Sequence, residues 1–285
     1  MKKKLLKISI IGKTNAGKST LINNLVGEII SITNKKINTT EDLIIGITNY
    51  KNIQLVFYDT PGLNNIKSID KKNIKMKQNL WNGLNETDLI LYLIDITKYD
   101  FNEISSNINK LEEIKKPIII VFNKNDLIEK KLILPKINEL NKKFKLQNFF
   151  SISAKKILGL DVLKKFLQNK SYQSEWIFEK NEITNKDDIF ITNECTRDTI
   201  LNLLHKEIPY NIKITNKLFK FLKNGDLKIK QNIEIENQRY KKIILGKNGD
   251  KIKDIRIKSQ LNISKILKTK VHLYINIIKA NAEKI

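Results

Sequence analysis

The chain has 285 residues, 41% of them hydrophobic, and a formal net charge of +23 at pH 7. This length and composition predict one large domain or two ordinary ones with hydrophobic cores. The single cysteine, Cys195, excludes an intramolecular disulfide or a cysteine metal cluster and suits a reducing cytosol. The charge favours an anionic partner such as nucleic acid or lipid headgroups. Only three of the 53 basic residues are arginine, however, a bias typical of an AT-rich genome.

Residues 1–170 alternate short apolar strands with helical patterns, which predicts an α/β domain with a mostly parallel six-stranded sheet. Several strands are almost entirely apolar, as expected where helices cover both faces of the sheet. Strands are predicted at Lys7–Ile11, Leu43–Tyr50, Ile53–Asp59, Asp88–Asp95, Pro117–Asn123 and Asn148–Ser153. Helices are predicted at Lys18–Val26, Phe101–Lys115, Leu134–Lys143 and Leu160–Leu167.

Residues 171–191 are predicted to link this domain to a second, smaller α+β domain at 192–285. The charge changes along this part of the chain: residues 173–210 hold four basic and eight acidic residues, whereas residues 211–280 hold 18 basic and five acidic ones. The predicted order is helix Thr192–Lys206, strand Asn211–Leu222, turn Asn224–Asp226, strand Leu227–Glu236, short helix Arg239–Ile244, helix Lys251–Leu267 and strand Lys270–Ile278.

A phosphate-binding loop is predicted between the first strand and the first helix, where GKTNAGKS matches G-x-x-x-x-G-K-[ST]. The glycines let backbone N–H groups wrap the phosphates, Lys18 would reach the β- and γ-phosphates, and Ser19 would ligate Mg²⁺. The nucleotide-binding residues predicted here are Gly12, Lys13, Asn15, Ala16, Gly17, Lys18, Ser19 and Thr20. This loop alone fits either ATP or GTP.

Three further motifs follow predicted strands and select guanine. In DTPG, Asp59 would hold Mg²⁺ through water and the Gly62 N–H would sense the γ-phosphate. In NKND, the Asp126 carboxylate would accept from two guanine nitrogens, a pattern that adenine does not offer. The predicted base-contacting residues are Asn123, Lys124 and Asp126, together with Ser153, Ala154 and Lys155, whose backbone can meet the guanine O6.

The order and spacing of these motifs resemble the translation-factor-related GTPases. In that family a threonine before the second strand closes over the γ-phosphate and ligates Mg²⁺; here NTTED offers Thr39 and Thr40, and Thr40 is the better match. The resemblance therefore implies Lys18, Thr40 and Gly62 as catalytic residues. Leu63 occupies the place where many small GTPases have a glutamine that orients the attacking water, so we expect slow hydrolysis or help from another group.

Asn15 suggests that this help comes from a cation. The resemblance implies that GTPases of this branch with asparagine at this loop position bind K⁺ beside the phosphates, where it adds positive charge to the transition state. The alternative is that Asn15 only forms hydrogen bonds within the loop.

A second glycine–lysine turn, Gly246-Lys247-Asn248-Gly249, lacks the hydroxyl that a nucleotide loop supplies to magnesium. Its glycines permit a tight turn that presses backbone against a nucleic-acid backbone. Basic residues that can line a groove for RNA phosphates follow it: Lys251, Lys253, Arg256 and Lys258. Alone, the motif fits a helix–helix turn with a solvated lysine face, but the α-β-β-α-α-β order around it resembles a type II KH domain, a binder of single-stranded RNA.

A GTPase domain followed by a KH domain resembles the Era family over nearly the whole chain. The resemblance is carried by GKTNAGKST, NTT, DTPGL, NKND, SISAK, EIPY at Glu207–Tyr210, KKIILGKNGDKIKDI and KVHLYI at Lys270–Ile275. It implies a GTP-binding and GTP-hydrolysing switch that uses Mg²⁺, binds small-subunit ribosomal RNA near its 3′ end and assists small-subunit assembly. We expect a monomer in the cytoplasm, in part peripheral to the inner membrane.

Three departures from the family pattern bear on RNA contact rather than on the nucleotide site. Glu41 stands where the family often has arginine, the turn lacks the lysine that commonly precedes its second glycine, and the chain ends at Ile285, where relatives often continue with a tryptophan-containing tail. One alternative function is a GTP-dependent switch that docks on a membrane or protein through its basic C-terminal domain. Another is a degenerate GTPase that serves as an RNA scaffold, which Leu63 permits and the intact magnesium and phosphate residues oppose.

Overall fold

The computed structural model describes residues 2–27, 44–59, 86–144, 146, 148–204, 208 and 212–279. The chain divides into two compact units, Met1–Asn185 and Lys186–Ile285. Five residues singled out from the sequence lie outside the described residues: Thr39, Thr40, Glu41, Gly62 and Leu63. Glu207 and Tyr210 of the EIPY motif also lie outside them.

The first unit is built on a sheet with the strand order β2-β3-β1-β4-β5-β6. Its strands are β1 Lys4–Gly12, β2 Ile44–Tyr50, β3 Ile53–Asp59, β4 Leu89–Asp95, β5 Ile118–Asn123 and β6 Phe149–Ser151. Only β2 pairs antiparallel within this order, so the predicted mostly parallel sheet is confirmed. The carboxyl ends of β1, β3, β4, β5 and β6 therefore meet at one edge, where open α/β sheets bind ligands.

Helices alternate with these strands, as the sequence periodicity predicts. They are α1 Lys18–Val26, α2 Phe101–Glu112, α3 Ile133–Phe144 and α4 Leu160–Lys170. One core cluster joins β1, β4 and β5 to α2 and α3 through residues that include Ile11, Phe122, Ile108 and Leu140, all fully buried. The continuous apolar runs of β4 and β5 are explained by this burial.

A seventh strand, β7 Tyr172–Gln173, pairs antiparallel with the start of β1 and was not predicted. The chain beyond it stays on the first unit: the Trp176 indole N–H donates to the Lys4 carbonyl over 3.1 Å, and the Gln54 amide donates to the Phe178 carbonyl over 3.0 Å. The segment assigned to a linker at 171–191 therefore packs on the sheet as far as Asn185. Two residues of strand give no periodicity from which a sequence could reveal them.

The second unit has the predicted α-β-β-α-α-β order. Its elements are α5 Asp188–Leu204, β8 Lys213–Phe221, β9 Leu227–Ile235, α6 Gln238–Leu245, α7 Asp250–Leu267 and β10 Val271–Lys279. Central β9 pairs antiparallel with β8 and parallel with β10. Alternate residues of β9 are buried, and helices α5 and α7 pack on that side of the sheet. Helix α5 begins four residues before the predicted Thr192, because Asp187 accepts a hydrogen bond from the Phe190 N–H at 2.7 Å.

Candidate functional site

The loop between β1 and α1 is shaped by close approaches that only glycine permits. A Cβ on Gly12 would lie 2.4 Å from the Leu93 carbonyl oxygen, and one on Gly17 would lie 2.3 Å from the Asn123 side-chain nitrogen. Gly17 has φ +100° and precedes α1 without a side-chain cap, so the first N–H groups of this helix face the loop. Together with the helix dipole, these groups form a site for an anion such as phosphate.

Lys18 is held inside this loop as predicted for a phosphate-binding lysine. Its ammonium donates to the carbonyls of Gly12 and Lys13 at 3.0 and 3.1 Å. Burial lowers the pKa of Lys18, and the charge of Asp59 acts in the opposite direction. A desolvated cation surrounded by backbone dipoles is well placed to meet phosphate oxygens.

Ser19 and Asp59 lie side by side, as the magnesium prediction requires. The Ser19 hydroxyl donates to a carboxylate oxygen of Asp59 at 3.0 Å, and Asp59 is the buried last residue of β3. A hydroxyl and a carboxylate are hard oxygen ligands of the kind that Mg²⁺ prefers. The described residues therefore fit Mg²⁺ beside the phosphate loop.

Asn123 connects the phosphate loop to the predicted base-binding segments. Its side-chain NH₂ donates to the Ala16 carbonyl at 2.7 Å, and its side-chain oxygen accepts from the Ala154 N–H at 2.8 Å. Asn123 is 2% exposed. Since both bonds are buried, this one side chain fixes the separation between the phosphate end and the base end of the site.

Lys124 is also tied to the phosphate loop. Its ammonium donates to the Asn15 carbonyl at 2.8 Å and forms an ion pair with Asp95, the last residue of β4. Burial acts to raise the pKa of Asp95, but the bonds from Lys124 and Thr97 outweigh burial and hold that pKa below its usual value. Lys124 adopts φ +66°, a left-handed conformation that this set of contacts stabilises.

Asp126 lies in the short 3-10 turn Asn125–Leu127 and is exposed, so its carboxylate is available to a ligand. The neighbouring Asn125 N–H donates to the Ile152 carbonyl at 3.1 Å, which joins this turn to the end of β6. Ser153 is buried and Lys155 is exposed. The structure thus gathers the predicted residues of all three described motifs at the carboxyl edge of the sheet.

Sequence reasoning missed two side chains that complete this arrangement. The Asn24 amide in α1 donates to the carbonyls of Thr20 and Ala154, at 3.0 and 2.9 Å, and so adds a second connection between the two ends of the site. The other is Asp95. Its place at the end of a predicted parallel strand next to β5 was a signal available in the sequence, whereas nothing local distinguishes Asn24 on its helix.

The second glycine–lysine turn lies between α6 and α7. Gly246 and Gly249 have φ +73° and +83°, and Asn248 between them has φ +56°. A Cβ on Gly246 would lie within 2.9 Å of three Lys251 atoms, whereas one on Gly249 would meet no atom within 4 Å. Lys247 and Asn248 are exposed. This turn therefore presents open backbone where the first loop encloses its contacts.

The basic residues after this turn lie on α7 as predicted. Lys253 and Lys258 are exposed, whereas Lys251 and Arg256 are half-buried. On the packing side of the helix, Ile255, Ser259 and Ile263 are buried. The Arg256 guanidinium donates to Gln260 at 3.3 Å, so part of its hydrogen-bonding capacity is used within the helix.

Comparison with known proteins identifies both units. A family model described as a 50S ribosome-binding GTPase matches residues 7–124, and a KH domain model matches residues 207–283. GTPase Era of Rickettsia typhi is 36% identical over 277 residues, which span 95% of this chain and 91% of that protein. GTPase Era of Buchnera aphidicola subsp. Acyrthosiphon pisum (strain APS) is 38% identical over 93% of this chain and 94% of its own length.

The chain belongs to the Era family of GTPases. A crystal structure of Era in complex with MgGDPNP and nucleotides 1506–1542 of 16S ribosomal RNA is 31% identical, with a TM-score of 0.83 over 98% of this chain and 95% of that one. A structure of Aquifex aeolicus Era bound to GDP·AlF4− matches with the same identity, coverage and TM-score. The family resemblance, the fold class and the GTPase activity drawn from the sequence are therefore confirmed.

Proposed function

We propose that this protein is an Era-type switch that binds and hydrolyses GTP in its first unit and binds small-subunit ribosomal RNA near the 3′ end with its second. Asn123 carries the nucleotide part of this proposal. Its two buried hydrogen bonds, to Ala16 and Ala154, hold a phosphate loop and a base-binding loop at one edge of the sheet. That spacing suits a single ligand with phosphates at one end and a purine base at the other.

The residues of the first loop bind and orient the phosphates. The helix N-terminus after Gly17 and the buried ammonium of Lys18 stabilise the charge that develops during phosphoryl transfer. Ser19 and Asp59 would hold Mg²⁺, which neutralises phosphate charge when bound. We assign Thr40 and Gly62 to the γ-phosphate end on their sequence positions, and both lie outside the described residues.

The residues after β5 and β6 select guanine. We assign the exposed Asp126 carboxylate to the base edge, where it accepts two hydrogen bonds. Lys124 is immobilised by Asp95 and the Asn15 carbonyl, so little conformational freedom is lost when a ligand binds beside it. The Ala154 backbone and the neighbouring Ser153 and Lys155 complete the base end.

The RNA part of the proposal rests on the second glycine–lysine turn and on the related Era structure bound to 16S ribosomal RNA. The exposed Lys247 and Asn248 and the open backbone at Gly249 allow a polynucleotide backbone to approach closely. Binding there would allow the protein to assist assembly of the small ribosomal subunit. We also propose that it acts as a cytoplasmic monomer and that K⁺ binds near Asn15. No helix among the described residues is long and apolar enough to cross a membrane.

Sequencing RNA crosslinked to the protein with GTP or with GDP bound tests the proposed RNA partner. We expect crosslinks at Gly246–Lys258 and enrichment of the 3′ end of the small-subunit ribosomal RNA. The variant Lys247→Asp/Asn248→Asp should lower affinity for single-stranded RNA at least about tenfold, or about 1.4 kcal/mol, because carboxylates would repel the RNA backbone. GTP affinity should stay at the wild-type value, since the phosphate residues belong to the other unit.

Two outcomes would contradict this proposal. Unchanged RNA affinity in the double variant, with loss of binding to a membrane or protein partner, would favour the docking alternative. Crosslinks confined to other RNAs would leave a GTP-dependent RNA-binding protein but remove the small ribosomal subunit as its target.

A further inference from the structure

One face of the three-stranded sheet in the second unit is rich in cations. The register places Lys220, Lys228 and His272 directly across from one another on β8, β9 and β10. The next row contains Lys230 on β9 and Tyr274 on β10. We call these five residues the lysine face. They point away from the buried residues of β9, so they lie on the side opposite to α5 and α7.

The fold itself gains nothing from this arrangement of lysines. The core side of the sheet is complete without them, because Leu227, Ile229 and Ile233 are fully buried there. Like charges directly opposite on neighbouring strands destabilise a sheet, by roughly 0.2–1 kcal/mol for each pair. Lys220 and Lys228 are such a pair. A bound polyanion would reverse the sign of this contribution.

Acidic side chains on the same face are already paired near its two ends. Glu234 accepts from Thr215 at 2.9 Å and lies 3.7 Å from Lys213. Asp226 lies 2.7 Å from His272 and 3.6 Å from Lys270. The lysines between these two pairs thus keep a local excess of positive charge that can attract phosphate groups.

Tyr274 gives the lysine face a position where a base can stack. Its side chain is 50% exposed, and the Lys228 ammonium lies 5.5 Å from the ring centroid. Next to this row, Asn232 on β9 faces Asn276 on β10, and both are at least partly exposed. Cations, an aromatic ring and amides therefore follow one another along the strands.

We propose that the lysine face is a second RNA-binding surface, separate from the Gly246–Gly249 turn, for single-stranded RNA. Lysines that track phosphates beside an aromatic ring that stacks a base are the two components of single-strand recognition. The amides favour RNA over a lipid surface, because they can bond to base edges and add nothing to headgroup attraction. The choice of ligand rests on the RNA binding proposed above.

The test measures affinity for an unstructured RNA of about 20 nucleotides, longer than typical single-strand sites. In the full-length protein, Lys220→Gln/Lys228→Gln/Lys230→Gln should weaken binding at least tenfold. Its control, Lys110→Gln/Lys130→Gln/Lys165→Gln, removes the same charge from exposed positions of the first unit and should stay within twofold of wild type. If all three face lysines contact phosphates, the slope of log K against log salt should become shallower by about 2.

A second pair of variants tests the stacking position without changing charge. Tyr274→Ala should weaken binding about tenfold and Tyr274→Phe should leave it near wild type, because only the ring is needed. This pair also decides the matter if the triple lysine variant fails to fold. The midpoint of thermal unfolding identifies such a failure, since removing a like-charge pair should not lower it.

The inference is wrong if the lysine triple behaves like its control, or if Tyr274→Ala binds as wild type does. It is also wrong if the triple keeps RNA affinity but loses binding to phosphatidylserine vesicles, which would make the face a lipid surface. Loss of all RNA binding in Lys247→Asp/Asn248→Asp, with no effect of the face variants, would overturn this inference and leave the proposed function intact. If wild-type protein binds no RNA, the proposed function itself fails.

Discussion

The two glycine–lysine turns of this chain are similar in sequence and opposite in structure. In the first, Lys18 is buried and bonded to two loop carbonyls, and Asn123 closes the loop from the side. In the second, Lys247 and Asn248 are exposed and the space around Gly249 is open. The first turn is therefore organised before its ligand arrives, whereas the second offers backbone and charge to a longer partner.

This difference matches the two kinds of phosphate ligand. A nucleotide is small and must be surrounded if contacts are to discriminate its base and terminal phosphate. A polynucleotide is recognised along its length, and each turn or patch supplies only part of the affinity. Glycine serves both purposes, because in one turn it removes a clash with the protein and in the other it leaves room for RNA.

The largest expected effect comes from adding one methyl group to each turn. In Gly17→Ala the new Cβ would lie 2.3 Å from the Asn123 nitrogen, and Asn123 cannot move without breaking two buried bonds. GTP affinity should fall at least about 100-fold, or about 2.7 kcal/mol. Gly249→Ala meets nothing within 4 Å and should leave GTP affinity unchanged, at a stability cost of about 1 kcal/mol for a left-handed alanine. Calorimetric titration and thermal unfolding of both variants check this; equal GTP affinities would contradict the enclosed first turn.

The next largest effect concerns base selection at the far end of the enclosed site. Asp126→Asn should weaken GTP binding by roughly 1.5–3 kcal/mol, because a charged hydrogen bond is lost. It should favour xanthosine triphosphate, whose hydrogen-bonding pattern suits an amide. Competition binding with both nucleotides measures the change. An unchanged preference for GTP would remove Asp126 from the base-reading role.

A smaller effect is expected from Asp95→Asn, which tests how far organisation before binding extends. The amide keeps the size of the side chain and its contact with Thr97 but loses the ion pair with Lys124. GTP affinity should fall about fivefold, or roughly 1 kcal/mol, and Lys124→Ala should largely abolish the difference between aspartate and asparagine at position 95. Additive effects in this double-mutant cycle would show that Asp95 acts independently of Lys124.

The sequence predicted those parts of the site that depend on local pattern. The phosphate loop, NKND and SAK motifs each follow a strand, and the sheet brings them together because parallel strands share one carboxyl edge. Helix α1 was predicted with its observed bounds, Lys18–Val26, because a glycine flanks it on each side.

Contacts between distant segments could not be predicted in the same way. The bond from Asn24 to Ala154 spans 130 residues, and the bond from Gln54 to Phe178 spans 124. Neither pair has a local periodicity, since each depends on how two elements meet in the folded unit. For the same reason the packing of the segment after β7 on the sheet appeared only in the structure.

The smallest expected effect distinguishes the two asparagines at positive φ, one in each turn. Asn15 has φ +69° and an exposed side chain beside the buried phosphate loop, whereas Asn248 has φ +56° in the open turn. If Asn15 helps to hold K⁺ near the phosphates, hydrolysis should be several-fold faster in K⁺ than in Na⁺ at equal ionic strength, because the ion adds positive charge where the transition state needs it. Asn15→Ala should erase most of that difference, and Asn248→Ala, the matched control, should retain it. Steady-state phosphate release in the two salts measures both. Equal wild-type rates would remove the cation from the mechanism, and would leave slow hydrolysis to the loop, Lys18 and the magnesium ligands alone.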